Sequence, residues 1–264
     1  MPYTLGMSET FVACYDLHYP KVNLGAWRAM LDFMSRNTVH GFVFGGDQFD
    51  NQCISHHTRG KPLLRDKGGF KRDTAGFEAN IMGPLDKLLS KARYRVWIVG
   101  NHDFWEQELV EQQPELDGVT DRVELLGLRK QGWQVVENGR SWRHGKLTFI
   151  HGDQLTGFGN QVSSYHAKKA VEGYCGNVLY GHVHSPQMFT KVLPSNRLQK
   201  WAAWCSPITG NTNPAYLRNR PTSWLNGFTI IEFSGEGDFN CYPVITTNGV
   251  FRYGGTTYGN VKRS

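Results

Sequence analysis

The sequence predicts an α/β protein with a strand-rich C-terminal third. Three observations carry this prediction. In the first two thirds of the chain, short apolar runs that are typical of buried strands alternate with stretches that repeat apolar residues at helical spacing. From Gln187 onward the pattern is mostly strand and turn. The 30 glycines indicate many tight turns, which favours strands and loops over long helices.

The individual elements follow from local patterns. The apolar run 11–15 predicts a short buried strand, and Trp27, Met30 and Met34 predict a helix over 24–37. Further strands are predicted at 40–45, 94–99, 177–180, 228–233, 241–246 and 249–253, and between 133 and 150. Further helices are predicted at 77–92, 105–113, 121–130 and 163–171. Pro84 should break or kink the helix over 77–92.

Domain organisation is expected to be simple. The 264 residues suffice for a sizeable core. Neither an internal repeat nor a low-complexity linker divides the chain, so we expect one domain over residues 1–264. A polar, basic insertion is expected at about 51–73.

Charge and composition narrow the range of functions. The chain carries 29 Lys and Arg against 23 Asp and Glu, and its net charge of +6 favours acidic partners such as phosphates. No stretch approaches the roughly 20 apolar residues of a membrane-spanning helix, so no membrane partner is expected. The first residues do not resemble a secretion signal, and the five cysteines are widely spaced without a C-x-x-C pair. We therefore expect a cytoplasmic protein with neither a disulfide framework nor a thiolate zinc site.

Five short motifs lie at or just after the ends of predicted strands, where α/β proteins usually bind ligands. Their histidine and carboxylate side chains offer nitrogen and oxygen donors without sulfur, a set that suits Mn, Fe, Zn or Mg. Side chains two residues apart in D-x-H and H-x-H share one side of an extended chain, so each pair can converge on a metal. The motifs are Asp16-Leu17-His18, Gly46-Asp47-Gln48-Phe49-Asp50, Gly100-Asn101-His102-Asp103, His151-Gly152-Asp153 and Gly181-His182-Val183-His184.

The ordered set D-x-H, G-D-x-x-D, G-N-H-D, H and G-H-x-H resembles the signature of the calcineurin-like metallophosphoesterases. The motifs cover the chain from Asp16 to His184, and the tail over 204–259 resembles the closing strands of that family. More loosely, the sequence also resembles phosphoesterases of phages and prophages. The resemblance implies a metal-dependent phosphoesterase with an αββα sandwich, in which helices flank two mixed β-sheets and a binuclear metal site lies at one sheet edge.

By this resemblance, two divalent metal ions bind and share one carboxylate. Manganese is the expected metal, with Fe, Zn, Ni and Mg as alternatives. One ion would be held by Asp16, His18, Asp47 and His184, and the other by Asp47, Asn101, His151 and His182. His102 resembles the catalytic histidine of the family, and Asp50 resembles the carboxylate that orients it.

Two features bear on the substrate. Asn51 and Gln52 replace the Arg and Gly that complete the family's G-D-x-x-D-R-G motif, which disfavours a phosphoprotein substrate. The segment 59–72 holds six cations against one acid. It either contacts the phosphate backbone of a nucleic acid or forms only a solvated loop. The expected substrate-binding residues in it are Arg59, Arg65, Lys67, Lys71 and Arg72.

We expect hydrolysis of phosphodiester bonds, with DNA or RNA as candidate substrates. Two divalent ions about 3.5–4 Å apart can bind a phosphate group and activate the attacking water. A nearby imidazolium, here that of His102, can protonate the leaving oxygen. A phosphomonoesterase or a small (cyclic) nucleotide hydrolase is the alternative enzyme. A non-catalytic binding or scaffold protein that retains the fold is a third hypothesis, against which the complete ligand set argues.

Overall fold

Thirteen strands and six α-helices make up the described part of the chain. The computed structural model describes residues 8–58, 69–155, 164–193 and 196–259. The strands are β1 (Glu9–Cys14), β2 (Gly41–Phe44), β3 (Tyr94–Ile98), β4 (Gln134–Val136), β5 (Trp142–His144), β6 (Leu147–Phe149), β7 (Val178–Tyr180), β8 (Gln187–Leu193), β9 (Asn196–Cys205), β10 (Gly227–Phe233), β11 (Phe239–Ile245), β12 (Val250–Tyr253) and β13 (Thr256–Gly259). The helices are α1 (Leu24–Arg36), α2 (Phe70–Phe77), α3 (Gly83–Leu88), α4 (Asn101–Gln112), α5 (Arg122–Leu125) and α6 (His166–Tyr174).

Two mixed sheets form the centre of the fold. The first sheet has the strand order β11-β10-β1-β2-β3-β4, in which β1 to β4 run parallel and β10 and β11 are antiparallel. The second sheet has the order β5-β6-β7-β9-β8, with β6, β7 and β9 parallel. Strands β12 and β13 form a separate hairpin. The predicted α/β class with two mixed sheets is confirmed.

The alternation of side chains along β1 shows how the layers stack. Phe11 and Ala13 point into the core between the two sheets, where they pack with residues of the second sheet such as Phe149. Val12 and Cys14 point the other way, into a core shared with α1 to α3. Successive strand residues face opposite sides of a sheet, so one strand serves both cores. A third core lies between the second sheet and α6, which completes the predicted αββα order.

Helix α1 begins where its sequence dictates. The Asn23 side chain accepts a hydrogen bond from the Ala26 backbone N–H at 3.0 Å, which caps the first turn. Trp27, Met30 and Phe33 are buried on one face of the helix. Every helix in the described residues is too short or too polar to cross a lipid bilayer.

The region around Pro84 differs from the predicted single helix over 77–92. Helix α2 already begins at Phe70, and a π-helical turn over Glu78–Met82 joins it to α3. The Gly83 N–H donates to the Glu78 carbonyl, five residues back. Proline cannot donate a backbone hydrogen bond, and its ring clashes with the preceding turn of a regular helix. The wider turn therefore accommodates Pro84 without ending the helical path.

Two further predictions need correction. Helix α4 begins at Asn101 rather than at residue 105, because Gly100 provides the cap and the Asp103 carboxylate accepts its N–H at 3.0 Å. The predicted helix over 121–130 is a single turn, α5, followed by turn residues. Strand β13 was not predicted. Residues 59–68 of the basic insertion lie outside the described residues, and its last part begins α2.

Candidate metal centre

The strand topology places six of the seven predicted ligand residues just after parallel strands. Asp16, Asp47 and Asn101 follow β1, β2 and β3 in the first sheet. His151 and His182 follow β6 and β7 in the second sheet, and His184 comes two residues later. Since parallel strands end at the same edge of a sheet, each sheet presents its donors together. The site therefore lies where the two edges meet.

Asp47 occupies the middle of this cluster. Its Oδ2 lies 3.3 Å from His151 Nε2, 3.9 Å from His18 Nε2 and 3.9 Å from His102 Nε2. Its Oδ1 accepts the His102 backbone N–H at 2.8 Å. The Asp47 residue is 1% exposed. This carboxylate therefore lies within reach of donors from both sheets.

The predicted ligands form two groups, and Asp47 belongs to one of them while its Oδ2 lies 3.9 Å from His18 Nε2 of the other. In one group, His184 Nε2 lies 3.3 Å from Asp16 Oδ1 and 3.3 Å from His18 Nε2. The other group holds Asp47 itself with His151 and His182. Within each group, one ligand atom from every residue lies within 4.8 Å of the others. Asn101 joins the second group, since its Oδ1 lies 3.0 Å from His151 Nε2. All seven predicted ligand residues are thus brought together.

This donor set fits divalent metal ions. Imidazole nitrogens with carboxylate and amide oxygens are the ligands of Mn, Fe, Zn and related ions, and no thiol takes part in the clusters found among the described residues. Outer contacts fix the rings. The Gly45 carbonyl lies 3.1 Å from His151 Nδ1 and accepts its proton, which leaves Nε2 directed at Asp47. Such contacts orient metal-binding histidines in known sites.

Backbone strain is concentrated in the same place. Five of the seven predicted ligand residues have φ between 49° and 65°, in the left-handed region that L-residues rarely adopt. Each such residue costs about 1–2 kcal/mol relative to ordinary backbone. Strain of this kind persists where function requires it. The residues are Asp16, His18, Asp47, His182 and His184.

Three motif glycines leave room for the donors. A Cβ at Gly46 would lie 2.2 Å from His151 Nδ1, and one at Gly100 would lie 2.3 Å from Asp47 Oδ1. A Cβ at Gly181 would lie 2.4 Å from Asp16 Oδ2. Carbon does not approach nitrogen or oxygen so closely without a bond. Only glycine leaves room for the donor side chains at these three positions. Gly46 also needs to be glycine because its φ is +106°.

Asp103 fixes the position of the ligand Asn101. Asn101, His102 and Asp103 have the composition of a loop, yet they form the first turn of α4. One oxygen of the Asp103 carboxylate accepts the Gly100 backbone N–H at 3.0 Å and so caps the helix. The other oxygen accepts the Phe49 backbone N–H at 3.1 Å and so holds the second motif in place. Burial, and then the nearby Asp47 charge, raise the pKa of Asp103 to about 7. A helix start rather than a flexible turn therefore positions Asn101.

The buried charges of the site are coupled. Burial disfavours the Asp47 carboxylate, but the His151 and His102 imidazoles outweigh burial and hold the pKa of Asp47 well below its ordinary value. Burial likewise opposes the charged form of His151, yet the Asp47 carboxylate raises the pKa of His151 to about 10. For His182 the Asp47 and Asp16 charges do not offset burial, and burial followed by the His151 charge lowers its pKa to about 4. The centre thus requires positive charge beside Asp47.

The expected contact between Asp50 and His102 takes a different form. His102 Nδ1 lies 2.9 Å from the Asp50 backbone carbonyl, which accepts its proton. The Asp50 carboxylate instead accepts from Lys21 Nζ and lies 3.4 Å from His18 Nδ1. The chain turns sharply after Asp50, so its side chain and its carbonyl point to different neighbours. His102 is held in place, but by main chain rather than by a carboxylate. Its side chain remains 20% exposed.

Sequence reasoning missed a buried network behind His102. Arg122 is 2% exposed, and its Nη1 donates to Asn51 Oδ1 and to Glu106 Oε1. The guanidinium lies between two rings, 3.9 Å from the Phe49 centroid and 3.8 Å from the Phe70 centroid. Asn51 Nδ2 in turn donates to the His102 carbonyl at 2.8 Å. The sequence holds only a weak sign of this network. Asn51 stands where the motif G-D-x-x-D-R-G has arginine, and in the folded chain the guanidinium of Arg122 contacts Asn51 instead.

The expected substrate-binding cations are only partly described. Arg59, Arg65 and Lys67 lie outside the described residues. Lys71 and Arg72 lie in α2, and Arg72 forms an ion pair with Asp73 at 3.2 Å. This helix adjoins the second motif, since the Phe77 and Phe49 ring centroids are 4.5 Å apart. A substrate-binding role for these cations stays a prediction.

Comparisons with known proteins find solved structures of low sequence identity to this chain. No protein-family model and no curated protein matches it. The conserved uncharacterized protein (predicted phosphoesterase) of Streptococcus pneumoniae TIGR4 is 13% identical with a TM-score of 0.39, covering 95% of this chain and 96% of that one. Vacuolar Protein Sorting 29 of Cryptosporidium parvum is 11% identical with a TM-score of 0.48, covering 96% and 99%. The metallophosphoesterase of Sphaerobacter thermophilus is 13% identical with a TM-score of 0.41, covering 89% and 88%. Similarities at this level define neither a family nor an activity for this chain.

The Arg122 network makes a prediction about stability. Arg122→Met should lower the free energy of unfolding by about 3–5 kcal/mol, because it leaves the largely buried Glu106 carboxylate without its charged partner. Arg129→Met is the matched control, since the Arg129 side chain is 53% exposed and its pairs with Glu124 and Glu137 lie at the surface. The control should lose less than about 1 kcal/mol. Urea unfolding of both variants gives the comparison, and equal losses would contradict the buried network.

Proposed function

We propose that this protein is a binuclear metal-dependent hydrolase of phosphodiester bonds, of the type that the motifs share with phage and prophage phosphoesterases. The observation that carries the proposal is the convergence of six Asp, Asn and His side chains around the buried Asp47 carboxylate, with five of these seven residues on left-handed backbone. A structural core has no use for so many polar donors in strained conformations. A site for hard or borderline metal ions uses all of them.

The two groups of donors suggest how the ions are held. Asp16, His18 and His184 would bind the first ion, and Asn101, His151 and His182 would bind the second. Asp47 would bind both, since it belongs to the second group and its Oδ2 lies 3.9 Å from His18 Nε2 of the first. Manganese is the proposed metal, and Fe, Zn, Ni and Mg suit the same donors. When bound, two such ions neutralise the charge of a phosphate group and activate water for attack on phosphorus.

His102 would then move a proton. Its Nδ1 is held by the Asp50 carbonyl, so Nε2 is the atom free to exchange a proton. The partly exposed ring faces the same space as Asp47, and Trp105 packs behind it with a ring-centroid distance of 4.1 Å. We propose that Nε2 donates a proton to the leaving oxygen. Lys21 offsets the charge of Asp50 and keeps that carboxylate turned away from His102.

The first test is metal content. Asp47→Asn should lower bound metal from two ions to one or none per chain and remove most hydrolysis of bis(p-nitrophenyl) phosphate, because one carboxylate serves both ions. Asp238→Asn is the control, since the Asp238 side chain pairs only with exposed Lys146, at 2.6 Å, within the described residues. Elemental analysis after reconstitution with manganese measures the outcome. Two ions retained in Asp47→Asn, or full activity in chelator-treated parent protein, would contradict the proposal.

A second test addresses His102. His102→Ala should keep its metal and lose rate by about 10²–10⁴-fold on esters with poor leaving groups, because those alkoxides need a proton. The loss should be much smaller for esters of p-nitrophenol, which leaves as a stable anion. Steady-state kinetics on a series of esters shows how the loss of rate depends on the quality of the leaving group. An equal loss across the series would assign His102 a different role.

The third test concerns nucleic acid as substrate. The net charge of +6 and the cations at 59–72 favour it. Changing Arg65, Lys67, Lys71 and Arg72 to Ser should flatten the dependence of binding on salt. On duplex DNA the log–log slope should fall by about 0.9 for each phosphate that the variant no longer neutralises. Hydrolysis of a small diester should hardly change.

The control changes exposed Lys168 and Lys169 of α6 to Ser, which removes cations from another layer of the fold. Fluorescence anisotropy with labelled single- and double-stranded DNA and RNA at several salt concentrations measures binding. If the fourfold variant binds like the parent, the insertion is a solvated loop. Preference for a monoester or a cyclic nucleotide in kinetic assays would then favour the alternative enzyme.

A further inference from the structure

The segment 211–225, here called the 211–225 loop, is tied at both ends to the motifs of the metal centre. At its start, the Asn211 N–H donates to the Lys21 carbonyl at 2.7 Å, and the neighbouring Gly210 N–H donates to the Asp16 carbonyl at 2.9 Å. At its end, the Leu225 N–H donates to the His184 carbonyl at 3.3 Å. The loop therefore spans from the first motif to the last and borders the group of Asp16, His18 and His184.

Trp224 forms the end of this border. Its ring meets the His184 ring edge-on, with 4.3 Å between centroids and an interplanar angle of 82°. The adjacent Ser223 hydroxyl lies 2.6 Å from the Ser185 hydroxyl, which holds this end of the loop against the last motif. Trp224 is only partly buried. It is placed beside a predicted metal ligand while part of its surface remains open to solvent.

Tyr216 is a second aromatic residue of the same loop. Tyr216 lies in the single helical turn Ala215–Leu217 of the loop, and it is 47% exposed. Burial of the hydroxyl together with the Asp50 and Asp47 carboxylates raises the pKa of Tyr216 to about 12. Half-exposed aromatic residues have no structural need to lie beside a cluster of polar donors. A planar ligand group would cover them.

The tip of the loop carries positive charge. The residues 211–225 include two arginines and no acid. Arg218 and Arg220 are both exposed. Arg218 and Asn219 have φ of 51° and 58°, and Asn219 Oδ1 accepts from Asn213 Nδ2 at 3.0 Å. The tip thus has a defined turn that presents two exposed cations shortly after Tyr216 in the chain.

We propose that the 211–225 loop binds the base of a nucleotide whose phosphate occupies the metal centre. Tyr216 and Trp224 would stack on the base, and Arg218 and Arg220 would contact neighbouring phosphates. Aromatic stacking beside a cationic groove is the chemistry of single-stranded nucleic-acid binding, and it tolerates any base because every base has a π-face. This inference rests on the proposed function and names the substrate class as nucleotidic.

The test separates the base from the phosphate. Isothermal titration of manganese-loaded protein compares adenosine 5′-monophosphate with ribose 5-phosphate, which lacks only the base. The parent should bind the nucleotide more tightly. Tyr216→Ala/Trp224→Ala should lose about 5- to 150-fold in nucleotide affinity, the value of one stacked base, and leave ribose 5-phosphate unchanged. Trp224→Phe keeps a ring and should retain most of the preference.

Controls keep the outcomes distinct. Tyr242→Ala removes a partly exposed ring from β11, at the far edge of the first sheet, and should not change either affinity. Metal content is measured for every variant. If the double variant loses metal, Tyr216→Ala alone carries the test, because it leaves the ring beside His184 in place.

Each result then has one meaning. Equal binding of both ligands by the parent, or a nucleotide preference that persists without the two rings, would overturn the role of the loop and leave the proposed hydrolase intact. Failure of the metal-loaded parent to bind either phosphate would also overturn the role of the loop, whereas absence of bound metal from the reconstituted parent would contradict the proposed function itself.

Discussion

Burial of the Asp47 carboxylate is the constraint on which the rest of the centre depends. A carboxylate removed from water is very unfavourable unless positive charge and hydrogen-bond donors surround it. Here one oxygen accepts a backbone N–H at 2.8 Å, and imidazole nitrogens lie 3.3–3.9 Å from the other. These partners come from three other motifs. The motifs are therefore required to meet at one point, and their loops must take whatever backbone conformation allows it.

The left-handed residues are the consequence of that requirement. D-x-H and G-H-x-H place two donors on each short segment, and both donors of each pair have positive φ. In extended backbone the chain would continue straight past the site. The left-handed turns bend it back, so that the Asp16 carboxylate receives the His182 N–H at 2.9 Å while its Oδ1 faces His184. Aspartate and histidine tolerate this region better than most residues, which suits a site built from them.

The sequence predicts the parts of this structure whose signals are local. The donors lie in short motifs after apolar runs, and the alternation along β1 is readable because period 2 is imposed by the strand itself. Residues that act over long separations could not be predicted. Arg122 belongs to a short helical turn that has the pattern of a solvent face, and only the fold brings it 71 residues back to Asn51. Trp224 likewise lies beside His184 only because the folded chain returns to the last motif at Leu225.

The division of donors between the sheets links the site to the fold as a whole. One group draws Asp16 and His18 from the first sheet and His184 from the second, and the other group is divided in the same way. Neither group exists unless the core between the sheets is formed. Tyr15, directly before Asp16, donates its hydroxyl proton to the Leu179 carbonyl of β7 at 3.1 Å and joins the two edges. An ion bound to either group would bind the packed sheets and not the separated ones, so its binding energy would stabilise sheet packing. The same contacts that shape the site would then be strengthened by what the site binds.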